Sequence, residues 1–396
     1  MRQFSADYIF PINAAPIPNG VITVDDDGTI TSPPAPLLGN ERGVTHLKGI
    51  LCPGFVNTHC HLELSHMKKQ VSENKGMTGF IGELISKRNN FTEEEIENRI
   101  ALAEQEMICS GVVAVGDISN NNSTFKQKAK GNLAYHTFIE IFSLDPSKAE
   151  QTYQSGKKLE EELKRSSINN HVSVSPHAPY TMSLELLNLI NEDAKANNNI
   201  ITIHNQESAG ENELFESNTG VMYDAFKNMG INPTFMRKTG KNALESTLPY
   251  LKDAKKILLV HNTFTTQKEI HWIKSNISDL TSNIYFCTCP NANLYIENRL
   301  PDYQLFINEN CKVTVGTDSL ASNWSLSVLD ELKTISKHHP GIELNTLLTW
   351  ATKNGAEFLG FDQLGTLEKG KRPGLNLLKN TDGMKLTERT SVFKII

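Results

Sequence analysis

From residue 50 onward the chain repeats one texture: a short Val/Ile/Leu run, then a longer charged stretch whose apolar residues recur at helical spacing. This alternation constrains the fold most, because strands that alternate with helices pair in parallel and bury both faces of their sheet. The runs are Ile50–Val56, Val112–Val115, Leu133–Ile141, His171–Val174, Asn199–Ile203, Ile257–Val260, Ile284–Phe286 and Val313–Val315. Helix-period segments such as Thr92–Ile108, Leu159–Lys164, Ser183–Ala196 and Gln267–Ser275 separate them. Eight such units predict an α/β fold, a (β/α)8 barrel of the TIM type over residues 49–359. The longest connection, Ser208 to Lys256, contains helical pieces of its own and is expected to form a lid or pocket wall.

The two ends of the chain read differently. Residues 1–48 are short segments punctuated by Gly and Pro, with Asp27-Gly28 as a typical hairpin turn pair. Short strands return at Leu364–Lys371 and Gly374–Leu378. Residues 1–48 and 360–396 are therefore expected to form one small β-sandwich domain beside the barrel.

Charge and cysteine usage narrow the function classes. A net charge of −6, with no cluster of Lys and Arg interleaved with aromatics, argues against nucleic acid or a membrane as partner. The first residues, Met1-Arg-Gln-Phe-Ser-Ala-Asp, lack an apolar signal segment, and no later run is long enough to span a bilayer, so a cytoplasmic location is expected. Six cysteines in 396 residues do not make a disulfide framework. Cys287 and Cys289, without a second pair, read as buried strand residues rather than metal ligands.

In such a barrel the residues just beyond each strand meet at one mouth, where the chemistry is built. Strand one ends in Pro53-Gly-Phe-Val-Asn-Thr-His59-Cys60-His61. Side chains alternate along a strand, so His59 and His61 share a side and Cys60 faces the other. Two imidazoles there suit a first-row divalent metal, or are simply satisfied histidines in a turn. Strand four offers His177, strand five His204 and Glu207, strand six His261, and strand eight Asp318 and Ser319. Singly, each has a plainer reading: a hydrogen-bonded loop histidine, or an aspartate capping the next helix. Together they point to one functional constellation.

That constellation resembles the amidohydrolase superfamily over almost the whole chain. The most specific pieces are the strand-one segment, His177-Ala-Pro-Tyr-Thr, His204 with Glu207, Leu259-Val-His261-Asn and Gly316-Thr-Asp318-Ser319. Within the superfamily the sequence is most similar to aminohydrolases that deaminate purines, S-adenosylhomocysteine and aminofutalosine, with triazine hydrolases as relatives. The tail Gly365-Thr-Leu-Glu-Lys-Gly-Lys-Arg-Pro373-Gly374 also resembles the family, which often has Ala-Asp in place of the final pair.

The resemblance implies one divalent metal, Zn2+ by preference with Fe2+ as the alternative, on His59, His61, His204 and Asp318. A fourth-ligand geometry with a position open for water would make hydroxide available near neutral pH. Asp318 would take the water's proton and His261 would orient the nucleophile. Glu207, outside the ligand set, would protonate a ring nitrogen and then the leaving ammonia. The zinc nucleobase deaminases divide these roles similarly on another fold. Superfamily members with two metals carry a Lys or Glu at the end of strand four; Ser173-Val-Ser-Pro-His177 has neither, so one metal is expected. His177 then becomes a substrate contact, with Ser319 and Glu63 also counted as candidate contacts. Glu63 and His66 read equally as solvated loop residues, and Asp117 and Glu140 as structural ones.

The implied activity is hydrolytic deamination of an adenine-like or related N-heterocycle. Leu62-Glu-Leu-Ser and Gly76-Met-Thr-Gly-Phe80 rank aminofutalosine first, ahead of S-adenosylhomocysteine, methylthioadenosine and adenosine. The alternative is a hydrolase of the same architecture that removes an amide, cyclic imide or halide group. Glu207 favours deamination, because ammonia leaves an aromatic ring only after protonation. The expected partner is a small-molecule substrate, and a homo-oligomer is left open. Arg237 and Lys238 would either meet a substrate carboxylate or stay solvated.

Overall fold

The computed structural model describes residues 1–36, 43–166 and 171–396, the side chains of residues 278 and 279 excepted. Residues 37–42 of the expected terminal unit thus lie outside the described residues. The strands are β1 (Arg2–Ile9), β2 (Ile17–Val24), β3 (Ile30–Pro36), β4 (Val44–Pro53), β5 (Phe55–Cys60), β6 (Val112–Ser119), β7 (Ala134–Ile141), β8 (His171–Pro176), β9 (Ile200–Asn205), β10 (Lys256–His261), β11 (Ile284–Thr288), β12 (Lys312–Val315), β13 (Leu375–Lys379) and β14 (Ser391–Lys394). They build a six-stranded sheet, β14-β13-β4-β1-β2-β3, and two four-stranded sheets, β5-β6-β7-β8 and β12-β11-β10-β9. Both four-stranded sheets are parallel throughout.

Every residue of β5 and β9 is buried, as strands covered on both faces require. Alternate residues serve different layers. Phe55, Ile257 and Leu259 join the cluster formed with the surrounding helices, whereas Val56, Leu258 and Val260 join an inner cluster with Phe358 and Leu359. The flanking helices start where their sequences specify. Glu93–Cys109 is preceded by Thr92, which forms a reciprocal capping box with Glu95, and Leu184–Asn197 is capped by Ser183.

The run Ile50–Val56 departs from the single strand expected of it. It is divided at Gly54 between two sheets: β4 pairs with β1 and β13, while β5 pairs with β6. No side chain fits at the division. A Cβ on Gly54 would lie 2.4 Å from Val113 Cγ1 and 2.7 Å from the Pro373 carbonyl oxygen. The outer sheet therefore runs to Pro53, past the expected limit at residue 48.

Two seams join the parallel sheets. Between β8 and β9, the Ser173 hydroxyl donates to the Ile200 carbonyl at 2.7 Å and the His204 N–H donates to the His177 carbonyl at 2.9 Å. Between β5 and β12, the Thr58 hydroxyl meets Thr314 Oγ1 at 2.8 Å, and the N–H groups of Thr317 and Asp318 donate to the His59 carbonyl at 2.9 and 3.1 Å.

The long connection after β9 carries helices Ala209–Ser217, Gly220–Asn228 and Ala243–Thr247. Its Leu214, Phe215, Met222 and Phe226 pack with Met77 and Phe80 after strand one and with Ala178 and Tyr180 after strand four. Among the described residues, no helix is long and apolar enough to cross a membrane.

Candidate active site

The ends of β5, β9, β10 and β12 converge on one buried cluster. His59, His61 and Asp318 bring ligand-type atoms within 4.8 Å of one another, as do His59, His204 and His261. Glu207, His261 and Asp318 form a third such group, and His61, Glu140 and His204 a fourth. Asp318 Oδ1 is 3.5 Å from His61 Nε2 and 3.8 Å from His59 Nε2. The His59 ring centroid is 4.9 Å from those of His61 and His204.

Backbone geometry aims these side chains. β5 has one residue more than β6 between the pairs Asn57↔Val115 and Cys60↔Asp117, a bulge placed where His59 must turn inward. Gln206, His261, Asn262 and Asp318 all take left-handed conformations, with φ of 46°, 72°, 55° and 56°. Such conformations cost free energy in non-glycine residues and persist where the surroundings enforce them, characteristically at sites.

Hydrogen bonds select the tautomers. His204 Nδ1 lies 2.7 Å from the His177 carbonyl, so its proton sits there and Nε2 keeps its lone pair. His261 Nδ1 donates to Asn293 Oδ1 at 2.8 Å, leaving Nε2 directed at the cluster. Neither ring nitrogen of His59, nor Nε2 of His261, has a hydrogen-bond partner among the described residues. Burial and the neighbouring imidazoles hold His59 and His61 well below the ordinary histidine range, and burial brings His204 to about 4. Burial also pushes Asp318 up to about 7, against the hydroxyl bond it accepts from Ser322. Neutral imidazoles with free lone pairs beside a desolvated carboxyl suit a metal ion, which would return Asp318 to its ionised form.

Glu207 stands beside this donor set, with Oε1 3.4 Å from His261 Nε2. Burial, then the charges of Asp318, Glu211 and Glu297, push its carboxyl well up. The Glu207 backbone is held by Glu211, whose two oxygens accept the N–H groups of Gln206 and Glu207 at 3.0 and 3.1 Å. Sequence reasoning missed both Glu211 and Asn293. Ser208-Ala-Gly-Glu211 did carry a helix-start signal, but its carboxylate reaches further back than a capping box. Asn293 follows strand seven in Cys289-Pro-Asn-Ala-Asn, a polar strand end that was readable.

The remaining candidates separate. The His177 ring lies 4.8 Å from the His204 ring, with Nδ1 on Thr181 Oγ1 at 3.0 Å. The Ser319 hydroxyl lies 3.0 Å from Ser322 Oγ, which itself donates to Asp318 Oδ2 at 2.6 Å, and accepts the Ala321 N–H. Glu63 and His66 are buried rather than solvated: Glu63 Oε2 accepts the Asn120 N–H at 3.0 Å, and His66 Nε2 meets the Arg88 carbonyl. Asn120 Nδ2 also donates to Glu140 Oε2, and Glu140 Oε1 is 3.7 Å from His204 Nδ1, so Glu140 belongs to the edge of the site. Glu63 and Glu140 line a cavity of about 1020 Å³. Asp117 is structural in the sense expected, pairing with Lys128 Nζ at 2.6 Å with both side chains fully buried, and accepting the Leu62 N–H. Arg237 lies over the rings of Phe215 and Tyr250 at 5.4 and 6.0 Å.

The chain is similar to known proteins along nearly its full length. It is 26% identical over 391 residues to an adenosine deaminase of Helicobacter pylori, covering 94% of this chain and 91% of that one. To a 5'-deoxyadenosine deaminase of Methanococcus vannielii it is 27% identical over 359 residues, covering 87% and 77%. The crystal structure of Helicobacter pylori aminofutalosine deaminase with methylthio-coformycin superposes with a TM-score of 0.81 at 23% identity, covering 98% and 94%. That neighbour agrees in fold with the mixed α/β architecture and its parallel sheets. The model of the amidohydrolase family matches residues 50–395, and the chain belongs to that family.

Proposed function

We propose that the protein is an aminohydrolase that replaces the amine of an adenine-like ring with oxygen from water, releasing ammonia. The observation that carries this reading is Glu207: a buried carboxyl favoured in its protonated form, 3.4 Å from His261 Nε2 and not required as a ligand when His59, His61, His204 and Asp318 hold the cation. Displacement of a halide has less need of such a group, whereas loss of ammonia from an aromatic ring requires protons delivered twice. Adenosine and 5'-deoxyadenosine, which the relatives' names specify, carry such an amine. Aminofutalosine stays first in rank on the loop after strand one.

In this reading His59, His61, His204 and Asp318 hold one divalent cation, zinc by preference for its N and O donors. Bound there, it supplies Lewis acidity that brings the pKa of a water molecule to about 7. Asp318, whose Oδ1 lies near His59 and His61 Nε2, would accept the proton of the water on its carboxylate. His261 is fixed by Asn293 with Nε2 turned to the cluster, where it would orient the nucleophile. Glu207 protonates the ring nitrogen, recovers a proton, and passes it to the departing amine. The His177 ring and Glu63 contact substrate on the side of His204 and Asn120; Ser319, turned into its own loop, supports the Asp318 segment instead.

The architecture proposed with it is a single closed (β/α)8 barrel, supported by the hydrogen bonds at both seams. The six-stranded sheet is proposed as the separate small β domain built from both ends of the chain, supported by the pairing of β4 with β13; its described strands form one sheet where a two-sheet sandwich was expected. The test is ammonia release from adenosine, 5'-deoxyadenosine, methylthioadenosine, S-adenosylhomocysteine and aminofutalosine by the zinc-loaded protein, with 8-oxoguanine as a further candidate. Turnover of at least one adenine nucleoside is expected. Silence on all of them, with hydrolysis of a halogenated ring, would overturn the reading.

A further inference from the structure

Two arms of the site meet at a carboxylate that bonds to both of them without touching Asp318 or His261. Glu331, on the helix Val328–His338, is fully buried. Its Oε2 accepts the backbone N–H of Asn291 at 2.8 Å, and its Oε1 accepts Asn323 Nδ2 at 2.7 Å. Asn291 lies in the helix Pro290–Glu297, which also carries Asn293, the acceptor of His261 Nδ1–H. Asn323 Nδ2 donates a second bond, at 2.6 Å, to the carbonyl of Thr317, the peptide group that leads into Asp318. The orientation of the Asn323 amide is determined by its other end. Oδ1 accepts the N–H groups of Trp324 and Ser325 at 2.7 and 3.2 Å, so Nδ2 must face Thr317 and Glu331.

We infer that Glu331 is a positioning residue: it ties the segment after strand eight, with Asp318, to the helix after strand seven, with Asn293. It thereby sets where the Asp318 carboxylate stands relative to His261 Nε2. The kinetic part of this inference rests on the aminohydrolase reading; the structural part does not.

The bland alternative is that Glu331 only helps the chain fold, and a second buried carboxylate provides the comparison. Glu104 is also buried and also bonded to neutral donors, Tyr135 Oη, Gln127 Nε2 and Asn132 Nδ2. It contacts Tyr135 at the beginning of β7, whereas the site lies at the strand ends. If the role of Glu331 were stability alone, the two should behave alike on substitution. Both oxygens of Glu331 are acceptors, so Glu331→Gln keeps the volume but sets an NH2 against one of the two donors and loses that tether.

The experiment compares Glu331→Gln and Glu104→Gln as full chains loaded with Co2+, whose visible absorption reports ligand geometry, and with zinc for kinetics. Glu331→Gln is expected to change the cobalt spectrum and to lower metal affinity or kcat by about 10–100-fold, as losing a partner behind a metal ligand does, with KM unchanged. Glu104→Gln is expected to lower Tm and leave both the spectrum and kcat as in the wild type. An unchanged spectrum and kcat in Glu331→Gln, or the same changes in Glu104→Gln, would overturn the inference. If the wild type deaminates no nucleoside, the functional reading fails while the cobalt spectrum still decides the part of Glu331. Should Glu331→Gln not fold, Asn323→Ala, which cuts the Asp318 arm, is read by the same spectrum: a shift supports the inference and an unaltered band overturns it.

Discussion

Glu207→Gln preserves the size of the side chain and removes its capacity to shuttle a proton. Glu207 is outside the donor set, so the variant should keep its metal while kcat falls by about 10²–10⁴-fold. Elemental analysis beside steady-state kinetics checks this, and a near wild-type rate would remove Glu207 from the chemistry. His177 presents a finer distinction. Its backbone carbonyl holds His204, whereas its ring only lies beside it, tilted at 51°. His177→Ala should therefore retain metal and raise KM or lower kcat/KM, and loss of metal would place the ring in the coordination sphere. His61→Ala should lose both metal and activity, since its Nε2 stands 3.5 Å from Asp318 Oδ1. These side chains were legible in the sequence because chemistry at a strand end leaves a polar residue at an otherwise apolar boundary. Glu211 and Glu331 were not singled out, because each acts through another residue, and their partners were separated from them in sequence or hidden in the backbone; Asn293 carried the polar strand-end signal and was passed over.

At the scale of elements, apolar period and helix starts were the readable quantities. Thr92 with Glu95, and Ser183, mark their helices within a few residues of one another, and local signals of that kind survive in one dimension. The break at Gly54 depends on Val113 and Pro373, residues far away in sequence, so nothing local announced it. Gly54→Ala should cost about 1–3 kcal/mol through overcrowding, seen as a lower denaturation midpoint at unchanged slope. The turn held by Glu211 also has a pH signature. Burial lifts this carboxyl from 4.5 to about 8, against the two backbone N–H bonds that favour ionisation. The folded chain then binds the proton more tightly than the unfolded one. The resulting stability is present below 4.5 and is lost as pH rises through about 8. In Glu211→Gln that slope vanishes, so the variant's Tm relative to the wild type should rise between those limits. A difference that stays constant with pH would contradict the assignment.

For the molecule as a whole, the cluster couples metal and fold. Histidines and Asp318 drawn from β5, β9, β10 and the end of β12 come together only in the folded chain, so a cation bound there stabilises the fold by mass action. Removing it with a chelator should lower Tm, and restoring Zn2+ at 100 times its Kd should return about 2.7 kcal/mol. Equal Tm with and without metal would argue against a shared site. The parallel strands, their order along the chain and, through the eight-unit barrel, the meeting of the first with the last were readable from eight apolar runs; which residues make that second seam was not, because the contact joins distant positions. Thr58 and Thr314, at that seam, are separated by 256 positions. On a ribosome adding about 5–20 residues per second, the later partner follows the earlier by about 13–50 s. Once β6 has followed, for the rest of that interval β5 has β6 on one side and an open row of amides and carbonyls on the other, the kind of bare edge on which nascent chains aggregate and to which holdases bind.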